Sequence, residues 1–340
     1  SGERSEQADY PLHSVPLKRS IPRLHRTRPE APATSPDYDP GMAPSEVTVE
    51  VGSRKLKLTN LEKVLYPETG FTKASVIDYF VRIAPVMLDH VGDRGITMRR
   101  FPDGVDKSSF FNKRCPEWKP DWMDAVRGPG ESDGPIDYCC LSEVAALAWS
   151  ANLAALEIHA PMARRDDVDA PTMLVYDLDP GEETGMTECC IVAQELAELL
   201  DAVDLQAWPK TSGSKGLQMY VPLNTPHTHE QASAFARATG QFLERQRPNE
   251  ITTNMGKSNR VGKVFIDWSQ NSRHKTTIAP YSLRAKPTPT VSTPITWDEV
   301  ALGASGEPLS FEAPEVLERV EELGDLFAPT VTLEQVLPGA

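Results

Sequence analysis

The stretch TMLVYDLDP, residues 172–180, constrains this chain more than any other. Its continuous apolar run, with Val175 and Leu178 facing a core and Pro180-Gly181 as the stop, predicts a buried strand. Such a strand needs pairing neighbours on both edges and cover on its faces. The surrounding sequence supplies them. LQAWPKTSGSKGLQMYVPL reads as strand, glycine-rich turn and strand, and KVFIDWS as a further buried strand. TECCIVAQELAELLDAV and EQASAFARATGQFLERQ carry helical apolar spacing. Strands and helices alternate, which gives an α/β or α+β class with no internal repeat.

The same stretch carries two acids, Asp177 and Asp179. Residues two apart on a strand share a face, about 6.6 Å apart at Cα. Two carboxylates there repel each other unless a cation lies between them. A solvated pair at a strand end is the plain alternative, and Asp-x-Asp alone does not decide.

Further along, VTVEVGSRKLKLTN predicts a strand pair turning at Gly52-Ser53, and ITMRRFP a strand. NLEKVLYP and TKASVIDYFVRIAPVMLDHV read as helices, the second capped by Thr72. LSEVAALAWSANLAALEIHAP reads as one apolar helix with an irregular end at His159-Ala160-Pro161. Residues 1–45 hold eight prolines and are expected to be a disordered arm, with the basic segment PLKRSIPRLHRTRP inside it. After Pro294 comes an acidic helical tail.

Charge decides which partners are open to the chain. The net charge of −14 argues against a polyanionic partner until its distribution is followed. Residues 177–206 hold nine acids and no Lys or Arg, whereas residues 251–290 hold seven Lys or Arg and one acid. Local patches, not net charge, select partners. No run of 18 apolar residues is present and the first residues are polar, so the expectation is a cytoplasmic protein with no membrane partner. The five cysteines form no Cys-x-x-Cys pair, and neither a zinc cluster nor a disulfide framework is expected.

Three strand ends then converge on one chemistry. Asp267 closes KVFID, and a buried acid there needs a partner. With Asp177 and Asp179 it makes three carboxylates able to hold two divalent ions, Mn²⁺ or Mg²⁺, between an attacking and a leaving oxygen. TSGSKGL, residues 211–217, offers Ser212, Ser214, Lys215 and two glycines to a phosphate, although it is not a Walker A loop. Gln270 and Arg284 lie near Asp267 in sequence. Arg99, Arg100 and Lys113 surround Phe110 and Phe111, a mixture suited to base stacking beside backbone contacts. Asn60, Lys63 and Lys73 lie near expected helix starts, where phosphate is favoured.

Taken together these segments resemble the polymerase domain of bacterial DNA ligase D, in the archaeo-eukaryotic primase superfamily. The resemblance runs from about Val47 to Thr296 through LTNLEKVLYP, TK at 72–73, RRFPDGVDKSSFFNKR, LEIHAP, YDLDP, TSGSKGL, GKVFIDWSQN and TIAPYSLRA. The chain is similar to stand-alone actinobacterial primase-polymerases, with no ligase motif or nuclease segment in its 340 residues. The resemblance implies an α+β primase-polymerase fold with an RRM-like antiparallel catalytic sheet at 171–300. A flanking α/β module would cover 46–170, together forming a domain of 46–300 followed by the tail 301–340. It implies that Asp177, Asp179 and Asp267 bind the catalytic metals. His159, Ser212, Ser214, Lys215 and Gly216 would hold the incoming NTP or dNTP, with Gln270 and Arg284 beside it. Asn60, Lys63 and Lys73 would bind a 5′-phosphate across a gap. Phe110 and Phe111 would stack on bases, with Arg99, Arg100 and Lys113 along the DNA backbone.

The expected function is template-directed gap filling in DNA repair, with a preference for ribonucleotides, in company with repair proteins such as a ligase and at the nucleoid. A primase that starts strands de novo uses the same residues, and a non-catalytic gap-binding protein is the alternative outside enzymology. One departure stands out. The family usually reads SGSKGLH where this chain reads SGSKGLQ, and Gln218 cannot become a cation.

Overall fold

The computed structural model describes residues 46–130 and 134–339. The arm expected at 1–45 lies outside the described residues. The described residues open with the hairpin β1 (Glu46–Val51) and β2 (Arg54–Thr59), then β3 (Val64–Tyr66), β4 (Phe71–Thr72), α1 (Lys73–Val91), β5 (Thr97–Arg100) and β6 (Phe110–Asn112). It continues through β7 (Ala125–Gly128), β8 (Ile136–Cys139), α2 (Val144–Asn152) and β9 (Ala155–Ala160). Next come β10 (Met173–Pro180), α3 (Met186–Asp201), β11 (Trp208–Thr211), β12 (Leu217–Pro222), α4 (His229–Gln246), β13 (Ile251–Thr252) and β14 (Val264–Asp267). It ends with β15 (Thr277–Ile278), α5 (Trp297–Ala304), α6 (Ala313–Leu323) and α7 (Pro329–Thr332).

The central sheet runs β11-β12-β10-β14-β13. Its first four strands are antiparallel and follow the chain as strand–helix–strand–strand–helix–strand, with β10 in the middle. This is the split β-α-β arrangement expected of an RRM-like sheet. Leu174, Tyr176 and Leu178 point to the face covered by α3 and α4, where Cys189, Val192, Leu196, Ala232 and Ala236 complete the core. Burying each such aliphatic side chain stabilises by about 1.5–3 kcal/mol. Asp177 and Asp179, in the alternate positions, are turned to the opposite face.

A second antiparallel sheet, β15-β9-β5-β6, belongs to the other core, built around α1 and α2. That core also holds Tyr281, Leu283, Val291, Val316 and Leu317 from late in the chain. The C-terminal segment is clamped to it by Asp325. Its carboxylate accepts from Tyr281 Oη at 2.6 Å, lies 2.9 Å from His90 Nε2 and accepts from the Phe327 amide at 2.9 Å.

Thr72 caps α1 through its side chain, as the sequence predicts. Two helices expected from sequence are not formed as such. In NLEKVLYP, residues Leu61–Glu62 are a turn and Val64–Tyr66 are strand β3, pairing with β4. In the apolar run 141–161 the helix stops at Asn152, Ala154 takes φ +55° and LEIHA becomes β9 between β5 and β15. Strand pairing outweighs helix propensity there. The absence of a disulfide is also corrected. Cys115 and Cys139 are bonded, with Cα atoms 4.8 Å apart, because the Cys115 amide docks on Asp137 O beside β8. Cys140, Cys189 and Cys190 are free and buried. Among the described residues no helix is long and apolar enough to cross a membrane.

Candidate active site

A polar row crosses the central sheet on the face away from α3 and α4. Lys210 on β11 is paired with Gln218 on β12, Gln218 with Asp177 on β10, and Asp177 with Asp267 on β14. Lys210 is fully buried, and its Nζ donates to Gln218 Oε1 at 2.7 Å and Ser292 Oγ at 2.5 Å. Gln218 therefore presents its amide N–H to Asp177, with which it is hydrogen-bonded. Asp267 is held by the Ser269 amide at 2.9 Å and hydroxyl at 2.6 Å on one oxygen, and by Gln270 Nε2 at 3.0 Å on the other.

The electrostatics follow from this crowding. Burial pushes the Asp177 carboxyl up to about 7, aided by the charges of Asp179 and Asp267 and opposed by the Gln218 hydrogen bond. Burial and Asp267 raise Asp179, against the pull of Arg260 and Arg284. Burial drives the Lys210 ammonium well below its usual range. Among the described residues no group of three His, Cys, Asp or Glu side chains is arranged to hold an ion by itself. The donor chemistry still fits Mg²⁺ or Mn²⁺. Both are bound through one or two carboxylates completed by water and substrate phosphate oxygens.

The loop after β11 closes one wall of the cleft. Gly213 sits at φ +64°, and a Cβ there would meet the Val291 carbonyl at 2.6 Å. A Cβ on Gly216 would meet Leu178 O at 2.4 Å, so both glycines are required by close backbone approach. Ser212 Oγ accepts from the amides of Ser214 at 3.3 Å and Gly216 at 3.2 Å, which knits the loop together. Lys215 is exposed at its tip. His159 on β9 and Arg284 after β15 also line the cleft, Arg284 donating to the Ser212 carbonyl of the loop. With Asp177, Asp179, Gln218, Arg260 and Gln270 they line a cleft of about 420 Å³.

The remaining predicted residues fall in two groups outside this cleft, one of which reaches it through Phe111 and His159. Phe110 and Phe111 on edge strand β6 are 47% and 55% exposed, although both are large and apolar. Arg100 lies 5.2 Å from the Phe110 ring and Arg99 lies 5.4 Å from the Phe111 ring. Phe111 reaches the His159 ring edge-on at 5.7 Å. Lys113 follows directly after β6. Asn60, Lys63 and Lys73 meet around the turn between β2 and α1. The Lys63 amide donates to Asn60 O at 3.1 Å, and the Lys73 amide to Lys63 O at 2.8 Å. Lys73 opens α1, but Asn60 and Lys63 stand at a turn and not at a helix start. Lys73 is buried, with Nζ donating to Thr59 O at 2.6 Å. Burial lowers its ammonium to about 8, helped by the charges of Lys63 and Arg100.

A protein-family model described as "LigD, primase-polymerase domain" matches residues 72–327. The chain belongs to the LigD primase-polymerase family. Membership makes it a nucleotidyltransferase of the polymerase type. The "Multifunctional non-homologous end joining protein LigD" of Mycolicibacterium smegmatis is 46% identical over 278 residues, covering 81% of this chain and 36% of that protein. The "Bifunctional non-homologous end joining protein LigD" of Bacillus subtilis is 31% identical over 275 residues, covering 79% and 43%. The chain thus spans about a third of the length of its mycobacterial relatives. A solved structure, "Polymerase Domain from Mycobacterium tuberculosis Ligase D in complex with DNA", superposes with a TM-score of 0.77 at 42% identity, covering 81% of this chain and 98% of that one.

Sequence reasoning missed one residue that lines this LigD-type cleft, Arg260, and two buried residues that hold its lining side chains, Lys210 and Glu157. Arg260, whose guanidinium lies 3.6 Å from the Phe265 ring centroid, lines it but stands in a segment with no periodic signal. Lys210 reads as an ordinary strand lysine until Ser292 is folded against it. Glu157 was hidden by the helical reading of its segment. As a strand, LEIHA puts Glu157 and His159 on one face.

Proposed function

We propose that this protein is a template-directed polymerase that fills short DNA gaps during end-joining repair, with ribonucleotides preferred and a downstream 5′-phosphate gripped at Asn60, Lys63 and Lys73. The observation that carries the proposal is the way the site residues connect. Asp177 and Asp179 share one cleft with a Gly-Ser-Lys loop, and Asp267 is paired with Asp177 in the same sheet row. His159 joins that cleft to the stacking strip of Phe111 and Phe110, and the positive charge of Arg100 beside Phe110 is felt at Lys73.

In the reaction the primer 3′-oxygen bonds to the α-phosphorus of the nucleotide, and the bond to the pyrophosphate leaving group breaks. Mn²⁺ or Mg²⁺ at Asp177, Asp179 and Asp267 would lower the hydroxyl pKa and neutralise phosphate charge. Lys215 and Arg284 balance the triphosphate and the departing pyrophosphate. Ser212 and Ser214 hold it against the loop, and Gln270 keeps the Asp267 carboxylate turned toward the sheet row. Phe110 and Phe111 hold unpaired template bases by stacking, worth about 1–3 kcal/mol per base. Arg99, Arg100 and Lys113 meet backbone phosphates. The working partners are then gapped DNA, nucleoside triphosphates and a ligase to seal the nick, at the nucleoid of the cytoplasm.

The test is incorporation on a short gapped duplex bearing a 5′-phosphate, comparing NTP with dNTP and Mn²⁺ with Mg²⁺. Wild type is expected to extend the primer by the gap length, and Asp177→Ala/Asp179→Ala not at all. Tight gap binding by wild type without incorporation under either metal would overturn the proposal.

A further inference from the structure

Glu157 is only 2% exposed, yet four donors from three segments converge on it. Oε1 accepts from Arg284 Nε at 3.1 Å and the Ala285 amide at 3.2 Å. Oε2 accepts from Arg99 Nη1 at 3.4 Å and lies 3.2 Å from His159 Nε2. A buried carboxylate is costly unless its charge and its lone pairs are matched, and here all are. Its pKa is held well below the carboxylate range by His159 and Arg284, against the opposing effect of burial.

The far ends of these partners matter more than the carboxylate itself. Arg284 continues to the Ser212 carbonyl in the Gly-Ser-Lys loop, and both Arg284 and His159 line the cleft. Arg99 continues under the Phe111 ring, and Phe111 leans on His159. An ionised carboxylate only accepts, so His159 bonds it through a protonated Nε2. This fixes the ring and leaves Nδ1 as its second polar atom. The groups facing His159 are Glu157, Arg99, Arg284 and the Phe111 ring.

We propose that Glu157 is a positioning residue that locks the nucleotide-facing wall, His159 and Arg284, to the stacking strip of Arg99 and Phe111, so that the incoming nucleotide and the stacked base are aligned by one buried anion. The inference rests on the polymerase reading of the cleft. It adds to that reading a single group that sets two binding surfaces in register. Without the charge, the Arg284 and Arg99 guanidinium groups repel one another and no shared acceptor orients them or the His159 ring.

The test uses Glu157→Gln, which keeps the shape, and Glu157→Asp, which keeps the charge. Ribonucleoside triphosphate binding is measured calorimetrically with Mn²⁺, and gapped-DNA binding by fluorescence anisotropy, alongside incorporation kinetics. Glu157→Gln is expected to weaken triphosphate binding and raise its KM by about tenfold, with kcat changed far less, as for loss of a charged hydrogen bond. Phe111→Ala is expected to cost DNA affinity in the wild-type background and much less in the Glu157→Gln background. Glu157→Asp is expected to recover most of both losses, and it carries the test if Glu157→Gln does not fold. Unchanged triphosphate binding, or a Phe111→Ala effect equal in both backgrounds, would show Glu157 to be a packing residue and overturn the inference. Failure of wild type to incorporate would sink the polymerase reading instead, while the two binding measurements would still decide the role of Glu157.

Discussion

Replacing Asp177 by asparagine is expected to stabilise the metal-free protein while removing its activity. The Asp177 carboxyl is moved from its ordinary 3.8 to about 7 by burial and by Asp179 and Asp267. At about 1.36 kcal/mol per pH unit, that shift corresponds to a ceiling of about 4 kcal/mol against the ionised form. Asp177 is only half-buried, so solvent in the cleft brings the effect nearer to about 2 kcal/mol. The sign follows from linkage. A carboxyl whose folded pKa is raised contributes stability that is fully present below about 3.8 and is lost as pH rises through about 7. Asparagine mimics the protonated form at every pH. Its advantage in urea unfolding with EDTA should therefore grow by about 1–2 kcal/mol between pH 5 and pH 8. Adding Mn²⁺ at pH 8 should stabilise wild type and leave Asp177→Asn unmoved. An advantage that is the same at both pH values, or equal Mn²⁺ stabilisation of the two proteins, would refute the view that Asp177 is held under repulsion until a cation arrives.

Three further outcomes test other parts of the molecule. Because the Lys73 ammonium is lowered to about 8, its charge is present below that pH and lost above it. Anisotropy should then show the preference for a 5′-phosphate over a 5′-hydroxyl shrinking between pH 7 and pH 9, and Lys73→Met should show no such change. Gln218→Leu leaves the buried Lys210 ammonium with Ser292 alone and should destabilise by about 3 kcal/mol in urea. Lys210→Met/Gln218→Leu should recover most of that loss. Asp325→Asn weakens the bonds to Tyr281 and His90 and should cost about 3 kcal/mol at pH 7. Asp325 is lowered by His90 and Tyr281 despite its burial, so this stability is present above the ordinary carboxylate range and lost as pH falls through the lowered value.

The shared face of Asp177 and Asp179, proposed as catalytic, was legible because its signals are local. Asp177 and Asp179 share a face by period two, Gly213 and Gly216 mark a close approach, and Thr72 announces a helix. What stayed hidden depends on residues far apart in sequence. Glu157 meets Arg284 across 127 positions, and its strand was obscured because the apolar run before it fits a helix equally well. The break falls at Ala154, which adopts φ +55° with no glycine to signal it. Cys115 and Cys139 were unreadable as a pair for the same reason, since strand neighbours bring them together. Gln218 was noticed as a departure, but its partner Lys210 gave no sign of being buried.

The late segments have a consequence for how substrates enter. After β14 the chain returns to the first core with Tyr281, Leu283 and Val291, goes back with Ile295 and Val300, crosses again with Val316 and Leu317, and finishes in the second core with Leu337. Hinged enzymes swing about a few connecting residues that absorb large backbone rotations. Here the two halves are stitched together by repeated crossings, several of them directly behind the cleft. Closing or opening it as a jaw would tear buried packing along every stitch. Admission and release of ligands therefore falls to small movements at the rim, of the 211–217 loop, Lys215 and the exposed phenylalanines. If the cleft holds a nucleotide, as proposed, the time it resides there should be governed by those few side chains and not by a motion of domains.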